Sequence, residues 1–496
     1  MLVIALSAML AFFAIAQLRI LVIHAYSQMK GVGGQAIELT RPTSYSWPTV
    51  VVQLPIYREH KVLYRLLTAV TNLDYTDGRL AVQVLDDSEE EEAALAKAVV
   101  DAHRGGSVPI EYVHRTSRDG YKSGALNHGT RMADCDLVAI FDADFIPDRD
   151  FLIKTVPLFD DARVAAVHTR WRHRNGLSST LTLFQAAVID SLFCFSSGIR
   201  QARGESTIYL GTSGVWRKRT IEELGGWREA PFTDDGIDLS FRAQLAGWSV
   251  VFVNEALASS DLPDTYLSYK NQQRRWARAA FRLFLDYGKK ALSPPQGKRR
   301  RFLELSSLHL VLGTPVLVLT GVLSSAYVVL GLPRTPHWAI TQVGLSAFLV
   351  LFPPLQECVL SQRILYDDWA RRCLRLPLSL PLAIGVSVSI LAGFRDTIKR
   401  DEPEFVRTPK EGSSGIIRKS EAKWVGTASR VAWCELGLGI VFLSAALLSV
   451  VRGYAESCFL LSSLAGAFLI ASARSGSEIR RAGHRPATPA SAGTSD

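Results

Sequence analysis

The pentad Phe141-Asp142-Ala143-Asp144-Phe145 sets two carboxylates two residues apart at the end of an apolar run, LVAI. In extended backbone that spacing turns both to the same side, although the strand is ending there. Carboxylates that close repel one another and call for a divalent cation. An all-oxygen site shared with a substrate diphosphate suits Mg2+ or Mn2+. Asp after a strand also makes turns, and taken alone the pair reads better as a turn.

Other segments carry comparable chemistry. Asp86 and Asp87 in LDDSEE end a second apolar run, where acids can accept hydrogen bonds from a nucleotide or cap the following helix. In FTDDGIDLSFRAQLAGW, Asp234, Asp235 and Asp238 open a helical pattern, and one of them could take a proton from a hydroxyl. Helix capping is the plainer role for Asp238. Lys122 lies between Gly120 and Gly124 in RDGYKSGALNHG, a loop opening on a helix that could approach a phosphate. The run QQRRWARAAFRLF alternates Arg274, Arg275, Arg278 and Arg282 with Trp276 and Phe281. It reads as a basic amphipathic helix at an anionic membrane surface, with Trp276 also fit to stack on a sugar. EFVRTPKEG, residues 404–412, is a basic loop between apolar stretches whose Thr and cations could reach a diphosphate.

The elements that position these groups follow from hydropathy. Residues 48–295 alternate strand-like runs (TVVVQLPIY, RLAVQVLDDS, PIEYVH, LVAIFDAD) with helical patterns. This predicts an α/β domain on an open parallel sheet, which binds ligands where its strands end. Apolar runs flank it. Residues 1–25 predict one membrane helix, and 305–331, 338–360, 430–451 and 457–472 predict four more. Residues 376–394 carry basic flanks on both sides, so an interfacial segment is expected there, with a sixth span as the alternative. The organisation is then a membrane helix (1–25), a sheet domain (48–295), membrane helices with the interfacial segment (303–395), a loop segment (396–429), further membrane helices (430–472) and a basic tail (473–496), disordered beyond Gly483.

With 48% hydrophobic residues the 496-residue chain is no disordered protein. Its six cysteines have no paired spacing, which excludes a disulfide scaffold, a zinc site or a redox motif and suits a reducing compartment. The net charge of +9 is concentrated beside the apolar runs. That is an orientation signal placing the sheet domain in the cytosol, and it argues against a nucleic-acid partner.

In order, LPIYRE, VLDDS, RDGYKSGALN, FDADF, GTSGVWR, TDDGIDLSFRAQLAGW, QQRRW and FVRTPK resemble family 2 inverting glycosyltransferases of the membrane polysaccharide-synthase type. The likeness is to plant cellulose-synthase-like A and C proteins, associated with glucomannan and β-glucan backbones, and to bacterial relatives. It covers about residues 50–410. The resemblance implies a GT-A-like catalytic domain joined to an all-α transmembrane bundle, in a multi-pass protein of the plasma membrane. It implies that Tyr57, Glu59, Asp86 and Asp87 hold base and ribose, that Lys122 lies near the diphosphate, and that Asp142 approaches the nucleotide sugar while Asp144, with Asp142, coordinates Mg2+ or Mn2+. Asp235 takes the position of the catalytic base. Gly211 and Thr212 of GTSG, with Gln272, Arg275 and Trp276, match acceptor and diphosphate contacts, and Thr408 and Lys410 match a gating loop. Three positions depart from the usual pattern: Arg58 for Asn, Asp234 for Glu, and Tyr209-Leu210 for Phe-Asn. None removes a catalytic carboxylate. The expected partners are a UDP- or GDP-linked sugar, a glycan or lipid acceptor and membrane lipids, with no accessory subunit assigned. A lipid β-glycosyltransferase and an inactive scaffold are the competing readings.

Overall fold

Val50–Ile56, Leu80–Asp86 and Leu137–Ile140 are short runs rich in valine, leucine and isoleucine, buried on both faces almost throughout. Such runs can only be central strands, and in the computed structural model of the chain they lie side by side. The structure describes residues 46–76, 78–202, 204–229, 235–292, 309–331, 355–399 and 419–483. Two compact units emerge. Among the described residues, a sheet unit falls within 46–177 and 188–262, and a helical unit within 178–187 and 263–483.

The sheet unit holds eight strands in the order β3-β2-β1-β4-β7-β6-β8-β5. Here β1 is Val50–Ile56, β2 Leu80–Asp86, β3 Ile110–His114, β4 Leu137–Ile140, β5 Ile146–Pro147, β6 Val164–His173, β7 Gly214–Arg217 and β8 Ser249–Ser260. The first four are parallel, as the strand–helix alternation predicts. Beyond β4 the expectation of a parallel sheet gives way to a mixed one: β7 runs antiparallel to β4 and β6, β5 antiparallel to β8, and β6 parallel to β8. The sheet with its helices is GT-A-like.

Register across the parallel half is fixed by polar side chains in an apolar layer. Gln53, Gln83 and Glu111 are aligned on β1, β2 and β3. Gln53 Nε2 donates to Gln83 Oε1 (3.1 Å) and Gln83 Nε2 to Glu111 Oε2 (2.7 Å). A one-residue slip would strand these buried amides without partners. The helix His60–Thr71 covers the sheet with Leu63, Leu66, Leu67 and Val70, the spacing of one helical face. Strand order reverses between β1 and β4, since β1 is followed on one side by β2 and on the other by β4. In open α/β sheets ligands bind at such a switch point, outside the carboxyl ends of the strands.

In the helical unit, the long helices Lys419–Val451 and Ala455–Gly483 bury Phe442, Leu461, Leu464 and Phe468 together with Leu317 of His309–Val329. By length and composition, four described helices are long and apolar enough to cross a membrane: Thr180–Ala202, Trp369–Lys399, Ala428–Val451 and Ser457–Arg481. The first was not expected; TLTLFQAAVIDS reads as an ordinary buried helix, and Leu183 and Ala187 are fully buried. The expected interfacial segment lies within Trp369–Lys399, which is long and apolar enough by composition to cross a membrane and is broken near Pro377 and Pro381 into shorter turns. The basic tail begins inside the helix Ala455–Gly483. Its first part continues the helix to Gly483, with Arg480 and Arg481 in the last turn, where cations suit a helix C-terminus. The helix expected at 1–25, most of 338–360, the FVRTPK loop and the tail past Gly483 lie outside the described residues.

Candidate active site

The carboxyl ends of β1, β2 and β4 carry the candidate residues of the sheet unit. Beyond β4 the Asp142–Phe145 segment is a turn, with Phe145 N–H donating to Asp142 O at 2.9 Å. The turn and the carboxylate pair are therefore one object. Asp142 N–H donates to Thr212 Oγ1 (2.9 Å), while Lys122 Nζ pairs with Asp142 Oδ1 and donates to Gly211 O (2.9 Å). Lys122 and Asp142 each leave about a third of the side chain exposed, 30% and 35%, so both remain reachable by a substrate. Asp144 is buried.

Three glycines make this arrangement possible. Gly120 has φ +70°, and a Cβ there would strike the side chain of Glu229. A Cβ on Gly124 would lie 2.0 Å from Asp119 O, so only glycine lets the Lys122 helix, Tyr121–Met132, begin so close to its own loop. Gly236 has the greatest consequence. A Cβ there would meet Gly211 N and Cα at 2.5 Å, so the helix Asp235–Leu245 starts against the backbone of the GTSG loop. Ser240 secures that contact by donating to Gly236 O (2.8 Å) and accepting from Tyr209 N–H (2.9 Å). The DAD turn, Lys122, Gly211-Thr212 and the helix start at Asp235 thus converge. The side chain of Asp235 and all of Asp234 lie outside the described residues. Asp238 is fully buried and pairs with Arg242 (2.8 Å) and Arg228 (3.5 Å), a structural role.

At the ends of β1 and β2 the groups are held among themselves. Asp86 is buried, with Oδ1 accepting from Ser88 N–H (2.8 Å) and Oδ2 from the Tyr112 hydroxyl (2.8 Å). Asp87 receives a two-pronged ion pair from Arg115, at 2.7 and 2.6 Å. Tyr57 donates to Glu89 Oε1 (3.0 Å), and the Arg118 guanidinium stacks on its ring at 3.4 Å. Arg58 pairs with Glu89, which holds the Glu89 carboxyl down at about 2, and donates its N–H to Ser88 Oγ (2.7 Å) from a left-handed backbone, φ +57°. Burial pushes the Tyr57 hydroxyl above its ordinary value. Glu59 sits half-buried at the N-terminus of His60–Thr71.

Sequence reasoning missed Arg118, Arg115, Glu89 and Asn127. Asn127 Nδ2 donates to Trp227 O (2.8 Å) and Glu229 Oε1 (2.7 Å). Arg118 and Asn127 lie in RDGYKSGALN, but their spacing there does not point to these contacts, and Arg115 and Glu89 lie outside it.

The remaining candidates belong to the helical unit. Gln272, Arg275 and Trp276 lie at positions i, i+3 and i+4 of the helix Tyr266–Leu292 and so share one face, with Trp276 exposed. Thr408 and Lys410 lie outside the described residues.

Among the described residues no group of three or more His, Cys, Asp or Glu could enclose a metal. Asp142 and Asp144 nonetheless fit a cation that takes one or two carboxylates and completes its shell with phosphate oxygens and water, as Mg2+ and Mn2+ do.

Residues 48–279 match the family described as Glycosyltransferase like family 2. A probable glucomannan 4-beta-mannosyltransferase 11 of Oryza sativa subsp. japonica is 37% identical over 251 residues, 48% of this chain and 43% of that protein. Glucomannan 4-beta-mannosyltransferase 1 of Cyamopsis tetragonoloba is 35% identical over 286 residues, 56% of this chain and 52% of that protein. The chain spans about half the length of the curated relatives it matches. A mannosyltransferase from Pyrobaculum calidifontis, solved with GDP-Man and Mn2+, aligns with a TM-score of 0.49 at 18% identity, over 80% of this chain and 98% of that one. Residues 48–279 are a glycosyltransferase domain of the family 2 type, in keeping with the cellulose-synthase-like resemblance.

Proposed function

We propose that the chain is a multi-pass membrane β-glycosyltransferase, of the plasma membrane with its sheet unit in the cytosol, that extends a β-linked glycan from a nucleotide sugar and exports it as it grows. The observation that carries this reading is the convergence of Asp142, Lys122, Gly211 and the start of the Asp235 helix at the switch point. The plant relatives make GDP-mannose the first donor to test, with UDP-glucose second.

In the reaction we infer, Asp235 takes the proton from an acceptor hydroxyl as its oxygen bonds to the anomeric carbon. The bond from that carbon to the diphosphate breaks on the opposite face, its electron pair leaves with the diphosphate, and an α-linked donor gives a β-linkage. Lys122 faces the charge that develops on the leaving group, where a fixed cation is most effective. Asp144 and Asp142 would hold Mg2+ or Mn2+, which neutralises diphosphate charge when bound. Asp86 and Asp87, with Tyr57, form the wall for base and ribose, and Gln272, Arg275 and Trp276 serve the acceptor side. Thr408 and Lys410 are assigned to closure over the nucleotide.

Purified protein in lipid nanodiscs with radiolabelled GDP-mannose or UDP-glucose, Mg2+ or Mn2+ and a β-manno-oligosaccharide tests this. Label appearing in a lengthened, glycosidase-sensitive product supports it. No hydrolysis or transfer from any nucleotide sugar would sink it, and label confined to a short chloroform-soluble glycolipid would replace the glycan acceptor with a lipid.

A further inference from the structure

The helix Tyr266–Leu292, which carries Gln272, Arg275 and Trp276, is anchored at three levels within the helical unit. At its first turn, Glu478 of Ala455–Gly483 accepts the N–H groups of Tyr266 (3.1 Å) and Leu267 (3.0 Å). One turn on, Lys270 Nζ pairs with Glu435 Oε1 (2.6 Å) and donates to Ser475 Oγ (3.0 Å); Lys270 is 4% exposed and Glu435 not at all. One turn further, Arg274 pairs with Asp396 Oδ2 through Nε (2.7 Å) and Nη2 (2.6 Å), and Asp396 is 2% exposed. Gly393, a turn before Asp396, comes so close to this helix that a Cβ would lie 2.5 Å from Arg274 O.

Two buried ion pairs and a carboxylate cap on one short stretch are costly to assemble, because each charge must be stripped of water. Glu435 lies inside Ala428–Val451, a candidate membrane span, where a charge survives only when paired. Packing alone would be served as well by apolar residues of similar volume. Their arrangement gives the reason for keeping them. Lys270 and Arg274 are four residues apart and share one face. Gln272 and Trp276 each follow one of them by two residues, a rotation of about 200°, which puts them on the opposite side of the helix. Every turn fixed from behind by an ion pair presents a motif residue in front.

Taking Gln272, Arg275 and Trp276 as acceptor-side contacts, as in the reading above, we propose that Glu435 and Asp396 are positioning residues that set the rotation and height of this motif through Lys270 and Arg274. Apolar packing lets a helix slide or rotate; a directed ion pair does not. An error of about an ångström in such a group costs about 10²-fold in rate. Neither carboxylate touches substrate.

The experiment uses the full chain in nanodiscs and reads two quantities: acceptor-dependent transfer over a range of acceptor concentrations, and donor hydrolysis without acceptor. Asp396→Asn and Glu435→Gln are expected to lower kcat/KM for the acceptor by about 10²-fold while leaving the KM for donor in hydrolysis unchanged, and Asp396→Glu is expected to restore part of the loss. An equal fall in both activities, or no fall in either, overturns the role. Should the single variants fail to fold, the double variant Lys270→Met with Glu435→Leu removes the directed tie without leaving a buried charge. Acceptor kinetics like wild type in that variant also overturn it. A wild type that neither hydrolyses nor transfers any nucleotide sugar is a different result: it removes the transferase reading and the positioning role together.

Discussion

Lys122 and Asp142 in the sheet unit meet with about a third of each side chain in contact with solvent; Lys270 and Glu435 in the helical unit meet with almost none. Both are lysine–carboxylate pairs, and both tie separate elements together. The first sits at a strand end where a substrate can displace or join it, so its charge is available for chemistry. The second is walled in by helices, and its charge can act only on the helices themselves. The comparison teaches that accessibility, more than residue type or pairing distance, separates charges that a substrate could reach from charges that can act only on neighbouring elements.

The largest expected effect tests the accessible side. Asp235→Asn should lower transfer by about 10²–10⁴-fold while nucleotide binding, measured by calorimetry, is retained. Transfer at the wild-type rate would remove Asp235 from its assigned role. Next, Glu435→Ala leaves Lys270 buried without its carboxylate and should cost about 3–5 kcal/mol of stability in a denaturation series. Lys122→Ala in the exposed pair should cost about 1 kcal/mol or less while transfer collapses. If the two variants destabilise equally, the contrast between the units is false. Gly236→Ala should cost about 1–3 kcal/mol, because the new methyl meets the backbone of Gly211, and should slow transfer by moving the helix that bears Asp235. Unaltered rates would show that the close approach has no catalytic consequence.

The smallest effect concerns pH. Glu89 is held down at about 2 by its hydrogen bond to Arg58. A carboxyl lowered in the folded state contributes stability in full above its ordinary value of 4.5, and loses that contribution as the pH falls toward 2. About half of the Glu89 side chain is exposed, so solvent screens the pair and the loss should be shallow. Glu89→Gln should flatten the dependence of Tm on pH between 4.5 and 2; an unchanged slope would assign it to other groups.

Much of the sheet unit was legible because β1, β2 and β4 are apolar runs that end in acids, and because helices such as His60–Thr71 repeat their leucines at helical spacing. The antiparallel half was not. Gly214–Arg217 is only four residues long, and its pairing depends on Gly214 fitting beneath Val167 O, a contact between distant parts of the chain. Lys122, Asp142, Gly211 and Thr212 were readable as residues, but their mutual bonds were not, since those arise from loop geometry. Arg118 stayed hidden because nothing in RDGYKSG says that its guanidinium will lie on Tyr57. Thr180–Ala202 escaped as a candidate span because Gln185, Asp190 and Arg200 dilute its apolar character.

Arg58 stands where the resemblance in LPIYRE implies an asparagine, and its backbone is left-handed. Asparagine visits that conformation readily, whereas a long side chain gains nothing locally from it. The arginine at this corner therefore trades conformational ease for reach: Ser88 takes its N–H and Glu89 its guanidinium, clasping the loop after β1 to the loop after β2. Reverting to asparagine would relax the corner and unfasten the clasp together. The corner is thus a place where one side chain sets how firmly two neighbouring loops are held together, apart from the Asp142 and Asp144 carboxylates at the end of β4.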